Sequence, residues 1–366
     1  MRVESLGFFR FIAAIIVVVA HFAYTSAGKG VEFAQSGIFN GVHMVTFFFV
    51  LSGFVNYLAY GVKPPFSLKH FVASRIARVF PLYFFALLIT MQALIIVGKK
   101  PLLEEIFLHV TFMQAWVPEH ALSLNFVTWT ISVEIFFYIT FPFVVWALHR
   151  FAVRRETFLL AVMAVFLITQ VALSFILSQP GYPGEPSLAH NFTHLFPVFH
   201  WSSFLIGMLA AHWVVNQREE GSLMGTTGVL LASFGLLCLM ISFSREMNEL
   251  VGVVISTPSS YGPLFGLFMV ALTLNKGVIP RVLEAKHFVY LGALSYGIYI
   301  FQIIAWLGYQ LFLQKHFDLT PAQHLGMGVL LLIAFSALAH EWVEKPGNSY
   351  LRRQLALIMG GKPKII

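Results

Sequence analysis

The sequence has little charge for its length. Only 11% of its 366 residues are Asp, Glu, Lys or Arg, whereas soluble domains carry about 25%. Hydrophobic residues make up 58% of the chain, and its mean hydropathy is +0.80. These values exclude an ordinary soluble enzyme and indicate an all-α polytopic membrane protein.

Cysteine is also scarce, and histidine spacing typical of a metal site is missing. The single Cys238 excludes a disulfide-stapled fold. The 14 His residues show no His/Cys or His-Glu-x-x-His spacing. The net charge of +7 would favour nucleic acid in a soluble protein, but in a membrane protein it favours a lipid surface. The sequence therefore predicts membrane lipids as neighbours, no metal and no nucleic acid.

Apolar runs long enough to cross a bilayer recur along the chain, since a span needs about 20 such residues. They predict about ten transmembrane helices, near 6–27, 40–60, 80–97, 126–148, 156–178, 194–215, 224–243, 252–274, 287–313 and 322–342. The apolar run at 102–117 is shorter, and we expect it to be re-entrant or interfacial.

The basic residues give this arrangement an orientation. With ten spans and a cytoplasmic N-terminus, 18 of the 23 Lys and Arg residues fall on the inner side, as the positive-inside rule requires. Letting 102–117 cross would move Arg150, Arg154 and Arg155 to the outer side. We therefore predict cytoplasmic N- and C-termini, one transmembrane domain over 1–345 and a short basic cytoplasmic tail over 346–366.

Ionisable residues inside spans are costly and are therefore functional candidates. Arg10 and His21 lie eleven residues apart, which places them on one face of the first helix, about 16 Å apart along its axis. The alternative is that Arg10 reaches lipid phosphate while His21 is an interfacial histidine. Glu134 lies about 12 Å below the outer end of the fourth span. This estimate gives it the depth of His21 and permits a contact, although a structural hydrogen bond between helices is an alternative.

Two arginines stand together before the third span. Arg75 and Arg78 are three residues apart and so adjacent on a helix, where guanidinium groups can bind phosphate bidentately. The alternative is an anchor on lipid headgroups. In the second span, the small residues Ser52 and Gly53 favour close helix packing.

Six motifs in sequence resemble the acyltransferase-3 family of integral membrane acyltransferases. They are Arg10 and His21 with ten residues between them, Phe48-Phe-Val-Leu-Ser-Gly-Phe54, Arg75-Ile-Ala-Arg78-Val-Phe-Pro81-Leu-Tyr83, Trp129-Thr-Ile-Ser-Val-Glu134, Ser295-Tyr-Gly-Ile-Tyr299 and Glu344-Lys-Pro346. The chain departs from the family where an Asp usually precedes Arg10, and where a His often follows Ser295-Tyr-Gly, near Gln302. The chain resembles a stand-alone membrane domain of that family.

The resemblance implies an O-acyltransferase that moves an acyl group, commonly acetyl, from cytoplasmic acyl-CoA to a hydroxyl of an extracytoplasmic carbohydrate or lipid-linked glycan. It implies no permanently bound cofactor, and it favours surface polysaccharide O-acetylation at a bacterial inner membrane. On this view, Arg75 and Arg78 hold the CoA phosphates, with Tyr83 beside them and Arg10 at the inner end of the path.

The same resemblance gives roles to the residues near the outer side. His21 is expected to act as general base or transient acyl carrier, and Glu134 to orient it as the third member of a triad does. Arg10 belongs to this catalytic set as well, and Trp129 and Ser132 are expected at the acceptor. The main alternative function is a proton-coupled secondary transporter of an organic acid or sugar.

Overall fold

The computed structural model describes residues 4–23, 41–64, 66–217, 223–243 and 257–359, and all regular structure in these ranges is helical. The helices are α1 (Ser5–Ala23), α2 (Gly41–Asn56, extended by a π-turn over Tyr57–Gly61), α3 (Leu68–Ile96), α4 (Leu103–Val110), α5 (Trp129–Arg150), α6 (Arg155–Leu177), α7 (Leu188–Leu195), α8 (Trp201–Asn216), α9 (Thr227–Ser242), α10 (Gly262–Leu274), α11 (Val278–Leu283), α12 (Lys286–Phe312), α13 (Pro321–Ala339) and α14 (Lys345–Ile358).

The prediction of an all-α membrane protein is confirmed. Within the described ranges, eight helical segments are long and apolar enough to cross a membrane, and α9 and α10 are shorter apolar helices. Each of the ten predicted spans overlaps one of these helices, and the end of the first span, 24–27, lies outside the described ranges. The span predicted at 252–274 begins among residues outside the described ranges, and α10 forms its second half.

Contacts between distant helices agree with ten alternating crossings. Gly7 meets Gly292 near the start of α1 and α12, and Phe22 stacks on Trp306 further along both helices. The first and ninth spans therefore run parallel. The second and sixth do so as well, since α2 contacts α8 through Phe49 with His200 and Tyr57 with His212.

Most basic residues of the described ranges gather at one end of this bundle. Arg75 and Arg78 lie in the first turns of α3, while Arg150 ends α5 and Arg155 begins α6. Helix α3 begins twelve residues before the predicted third span, so the two arginines are carried on that helix itself. That this end faces the cytoplasm stays a prediction from the positive-inside rule.

The segment predicted to be re-entrant or interfacial contains only a short helix. Helix α4 has eight residues and is therefore about 12 Å long, too short to cross. Its Leu103 and Phe107 are 85% and 64% exposed, whereas Leu108 and His109 are buried. One apolar face is thus turned outwards, as on a helix lying at a membrane interface.

Close helix packing holds the second span against the sixth, as predicted for Gly53, whereas Ser52 hydrogen-bonds to Glu134 on α5. A Cβ atom on Gly53 would overlap the Phe204 carbonyl oxygen, and one on Gly207 would overlap the Val50 carbonyl oxygen. Glycine at both positions lets the backbones approach. At the basic end, α14 lies along α3, with Gly347 against Pro81, so the predicted tail continues as a packed helix through Ile358.

Candidate functional site

A cavity of about 180 Å³ opens between α1, α2, α3, α5 and α12. Its polar lining residues are Arg10, Ser52, Asn56, Arg75, Arg78, Thr130, Glu134, Tyr138, Ser295, Tyr296 and Tyr299. Five of the six sequence motifs contribute to this lining. The structure therefore brings together residues that lie up to 289 positions apart in the chain.

Helical periodicity explains which residues of each motif reach the cavity. On α5, Thr130, Glu134 and Tyr138 are four residues apart and share one face. On α12, Ser295 and Tyr299 repeat that spacing, and Tyr296 lies beside them. The polar side chains thus form stripes on helices whose other faces are apolar.

Aromatic rings hold Arg75 at the cavity. Its Cζ atom lies 5.5 Å from the ring centre of Tyr60, 5.7 Å from that of Tyr138 and 5.9 Å from that of Phe71. Its Nε donates to Ser74 Oγ at 3.3 Å. Cation–π contacts of this kind stabilise a guanidinium group without neutralising its charge. Within the described ranges, no carboxylate lies in ion-pair distance of Arg75.

Arg78 is held differently, by a carboxylate. Its Nη1 donates to Glu344 Oε1, and the other Glu344 oxygen accepts from His340 Nδ1 at 2.7 Å. The Glu344 side chain is 2% exposed, against 30% for Arg78. Arg78 also lies over the Tyr296 ring, with 5.8 Å between Cζ and the ring centre. This chain from Arg78 through Glu344 to His340 connects the cavity to the turn between α13 and α14.

Arg10 completes the group of charges. It lines the same cavity, and it lies within electrostatic range of Arg78, Glu344 and Glu134. The site thus contains three guanidinium groups and two carboxyl groups. Sequence reasoning found the arginines and Glu134, but it quoted Glu344 only as a motif residue and overlooked His340. The signal available for Glu344 was an acidic residue at the otherwise basic end of a predicted helix.

Glu134 does not contact His21, contrary to the sequence prediction. Its Oε1 accepts from Ser52 Oγ at 3.3 Å and from the Tyr138 hydroxyl. Phe126, in the turn before α5, touches His21. Glu134 follows Phe126 by eight residues and so lies about 12 Å deeper. The predicted equal depth is therefore wrong.

His21 lies beyond the outer end of the cavity. Its Nδ1 is 2.7 Å from Gln302 Oε1, and its ring meets the edge of Phe126 with 4.9 Å between the ring centres. Gln302 follows the cavity residue Tyr299 by three positions, less than one helical turn along α12. Arg10 and His21 share one face of α1, as predicted, with Arg10 in the cavity.

Three further residues predicted for the site line no part of the cavity. Tyr83 is buried and donates to the His109 carbonyl oxygen at 2.8 Å, and Ser132 donates to the Phe112 carbonyl oxygen. Both bonds fasten the α4 segment to the bundle. Trp129 packs against His200, with 5.2 Å between the ring centres. These contacts give each of the three residues a partner within the protein, and their predicted ligand contacts stay predictions.

Comparisons with known proteins agree on acyl transfer. The sequence model of one family, described as an acyltransferase domain, matches residues 3–341. Acyltransferase MdmB from Streptomyces mycarofaciens is 28% identical over 246 residues, covering 64% of this chain and 63% of that protein. A putative acetyltransferase, ORF330, from Acidianus two-tailed virus is 27% identical over 242 residues, covering 65% of this chain and 66% of that protein.

These matches span just under two thirds of the length of either relative. Neither relative carries the name of a transporter, the alternative function that the sequence left open. No solved structure matches the chain significantly.

Proposed function

Because this chain belongs to the acyltransferase-3 family, whose model matches nearly its whole length, we propose that it transfers an acyl group, specifically acetyl, from acyl-CoA. The acceptor is a hydroxyl of a carbohydrate or lipid-linked glycan on the outer side of a bacterial inner membrane. One observation supports this most strongly: Arg10, Arg75 and Arg78 line a single cavity at the basic end of the bundle. The acetyl group follows the name of the viral relative.

The arginines suit the phosphates of CoA. A guanidinium group presents several donors in a plane and binds phosphate bidentately. Among the described residues, none forms an ion pair with Arg75, and aromatic rings surround its guanidinium group, so its charge is available to an incoming anion. Lipid headgroups offer the same phosphate chemistry, but a cavity between five helices favours a ligand that enters the bundle.

Transfer takes place at His21 in this proposal. The pantetheine arm of CoA is comparable in length to the separation of about 16 Å between Arg10 and His21 along α1. The His21 imidazole takes the proton of the acceptor hydroxyl, whose oxygen then bonds to the thioester carbonyl carbon. The carbon–sulfur bond breaks, and the CoA sulfur leaves and takes up a proton. In the alternative relay, the imidazole attacks first and carries the acyl group.

The test is thiol release from acetyl-CoA by the protein in proteoliposomes, together with mass spectrometry of surface glycans from cells with and without it. We expect a mass difference of one acetyl unit and its loss in His21→Ala. His287→Ala, at an exposed histidine on α12, is the control. Full transfer by His21→Ala at normal expression would remove His21 from the mechanism.

The same samples separate the remaining possibilities. Labelled acyl group trapped on the wild-type protein, and absent from His21→Ala, would select the covalent relay over direct transfer. Uptake of a sugar or organic acid into vesicles without thiol release would instead identify a transporter.

A further inference from the structure

In the described ranges, the side chain within hydrogen-bond distance of His21 is that of the uncharged Gln302. Gln302 is fully buried on α12, and its two amide atoms have different partners. Its Nε2 donates to the Tyr299 carbonyl oxygen at 2.7 Å, and its Oε1 lies 2.7 Å from His21 Nδ1.

The Tyr299 carbonyl decides which way the amide points. A carbonyl oxygen can only accept, so the amide atom that faces it must be the NH₂ group. The amide oxygen therefore faces His21, and it too can only accept. Hence His21 Nδ1 must carry a hydrogen, and in the neutral imidazole the lone pair is left on Nε2.

We propose that Gln302 is a positioning residue that holds His21 in the Nδ1-protonated tautomer, so that Nε2 is the nitrogen that takes the acceptor proton or the acyl group. This inference rests on the proposed role of His21. Gln302 has the place that a carboxylate has in a Ser-His-Asp triad, but it brings no charge. It orients the imidazole without the ion pair that a carboxylate would provide.

Hydrogen bonds between α12 and the turn before α5 hold the Phe126 ring against the His21 imidazole. Asn125 Nδ2 donates to the Ile300 carbonyl oxygen at 3.0 Å, and the Tyr299 hydroxyl donates to the Val127 carbonyl oxygen at 3.4 Å. The turn before α5 is thus tied to α12 on both sides of Phe126, whose ring meets His21. The imidazole is held between this ring and the Gln302 amide.

Gln302 and His21 also lie in line with the cavity. Ser295, Tyr299 and Gln302 are spaced by four and three residues, so they share one face of α12. The first two line the cavity, and Gln302 continues the same stripe to His21. An acyl donor lying along this stripe would bring its thioester towards the imidazole.

The direct test is solid-state ¹⁵N NMR of histidine-labelled protein in bilayers, with His21 assigned by difference from His21→Ala. We expect a protonated Nδ1 and a bare Nε2 in the wild type, and both tautomers in Gln302→Leu. A wild-type spectrum with the hydrogen on Nε2 would overturn the proposal. Because the wild type decides this point, the result does not depend on whether Gln302→Leu folds; His21→Ala serves only for the assignment.

Kinetics supply the second test. Gln302→Leu should lower kcat about 10²-fold, the scale of a misplaced catalytic group, with the KM for acetyl-CoA unchanged. Gln302→Glu keeps an acceptor for Nδ1 but favours the protonated imidazole, so it should restore most of the activity only at a pH high enough to leave the imidazole neutral. Gln114→Leu is the matched control, because Gln114 is equally buried and donates to a backbone carbonyl, that of Thr128, at 2.9 Å.

The outcomes separate this inference from the proposed function. Full activity in His21→Ala would refute the role of His21 and leave the tautomer measurement standing. Loss of activity in His21→Ala, with Gln302→Leu as active as Gln114→Leu, would refute the role of Gln302 alone. Equal losses in Gln302→Leu and Gln302→Glu at every pH would show that the acceptor atom is not what matters.

Discussion

Replacing Arg75 by Gln tests whether the cavity binds the phosphates of the donor. The substitution removes the positive charge and keeps a polar side chain of similar reach. In the structure, three aromatic rings surround the guanidinium, and within the described ranges no carboxylate pairs with it. Its charge is therefore available to an incoming phosphate.

The size of the effect follows from that environment. A hydrogen bond to a charged group contributes about 1.5–3 kcal/mol, and about 1.4 kcal/mol corresponds to a tenfold change in affinity. Arg75→Gln should therefore raise the KM for acetyl-CoA about 10- to 100-fold. Arg78→Gln should raise it less, by under about tenfold, because Arg78 shares its charge with Glu344 and is partly screened by solvent.

The assay compares two donors, acetyl-CoA and acetyl-pantetheine, which carries the thioester without the phosphates. Arg75→Gln should raise the KM for acetyl-CoA and leave that for acetyl-pantetheine unchanged. Arg150→Gln, at an exposed arginine at the same end of the bundle, should change neither. An equal rise for both donors would show that Arg75 acts on the shape of the cavity, and the phosphate assignment would be refuted.

Further predictions concern stability and the separation of the carboxylates from the histidine. Glu344→Ala leaves a partly buried guanidinium and a buried imidazole without their common partner, so it should destabilise the protein by up to about 3 kcal/mol. Glu341→Ala breaks an exposed pair and should leave the stability nearly unchanged. Thermal unfolding in detergent measures both effects. Gly207→Ala should reduce the yield of folded protein because its Cβ would overlap a backbone carbonyl, whereas Gly235→Ala, in open space on α9, should leave the yield unchanged. Glu134→Gln should leave the tautomer of His21, the proposed base, unchanged in ¹⁵N NMR. A changed tautomer would indicate a direct contact between Glu134 and His21, contrary to the structure.

The sequence predicted correctly the features that depend on residues within one segment of the chain. Apolar runs located the membrane helices, and the small residue Gly53 predicted a close crossing. The spacing of Arg75 and Arg78 predicted that they lie together on a helix. Each of these inferences uses distances within one segment, where helical geometry is fixed.

It was a poor guide to partners on different helices. Counting residues from the end of an apolar run gave Glu134 and His21 the same depth, because the run starts at Phe126, which already lies at the level of His21. The true partners gave weak signals: Gln302 is uncharged, and Glu344 lies just past the end of the last predicted span, next to Lys345. Their roles come from helix pairing, which a single sequence does not encode in any local pattern.

The separation of Glu134 from His21 also means that, in the proposed mechanism, phosphate binding and acyl transfer take place in different parts of the site. All the charged groups that line the cavity belong to the basic end, where Glu134 is held by Ser52 and Tyr138. His21 lies about 12 Å further out, and in the described ranges its one hydrogen-bond partner is a neutral amide. A carboxylate next to His21 would favour the protonated imidazole, which can neither accept a proton nor attack a thioester. The neutral Gln302 orients the ring without that cost, so the chain keeps its charges where the proposed phosphates bind and an uncharged imidazole where the acyl group is to be transferred.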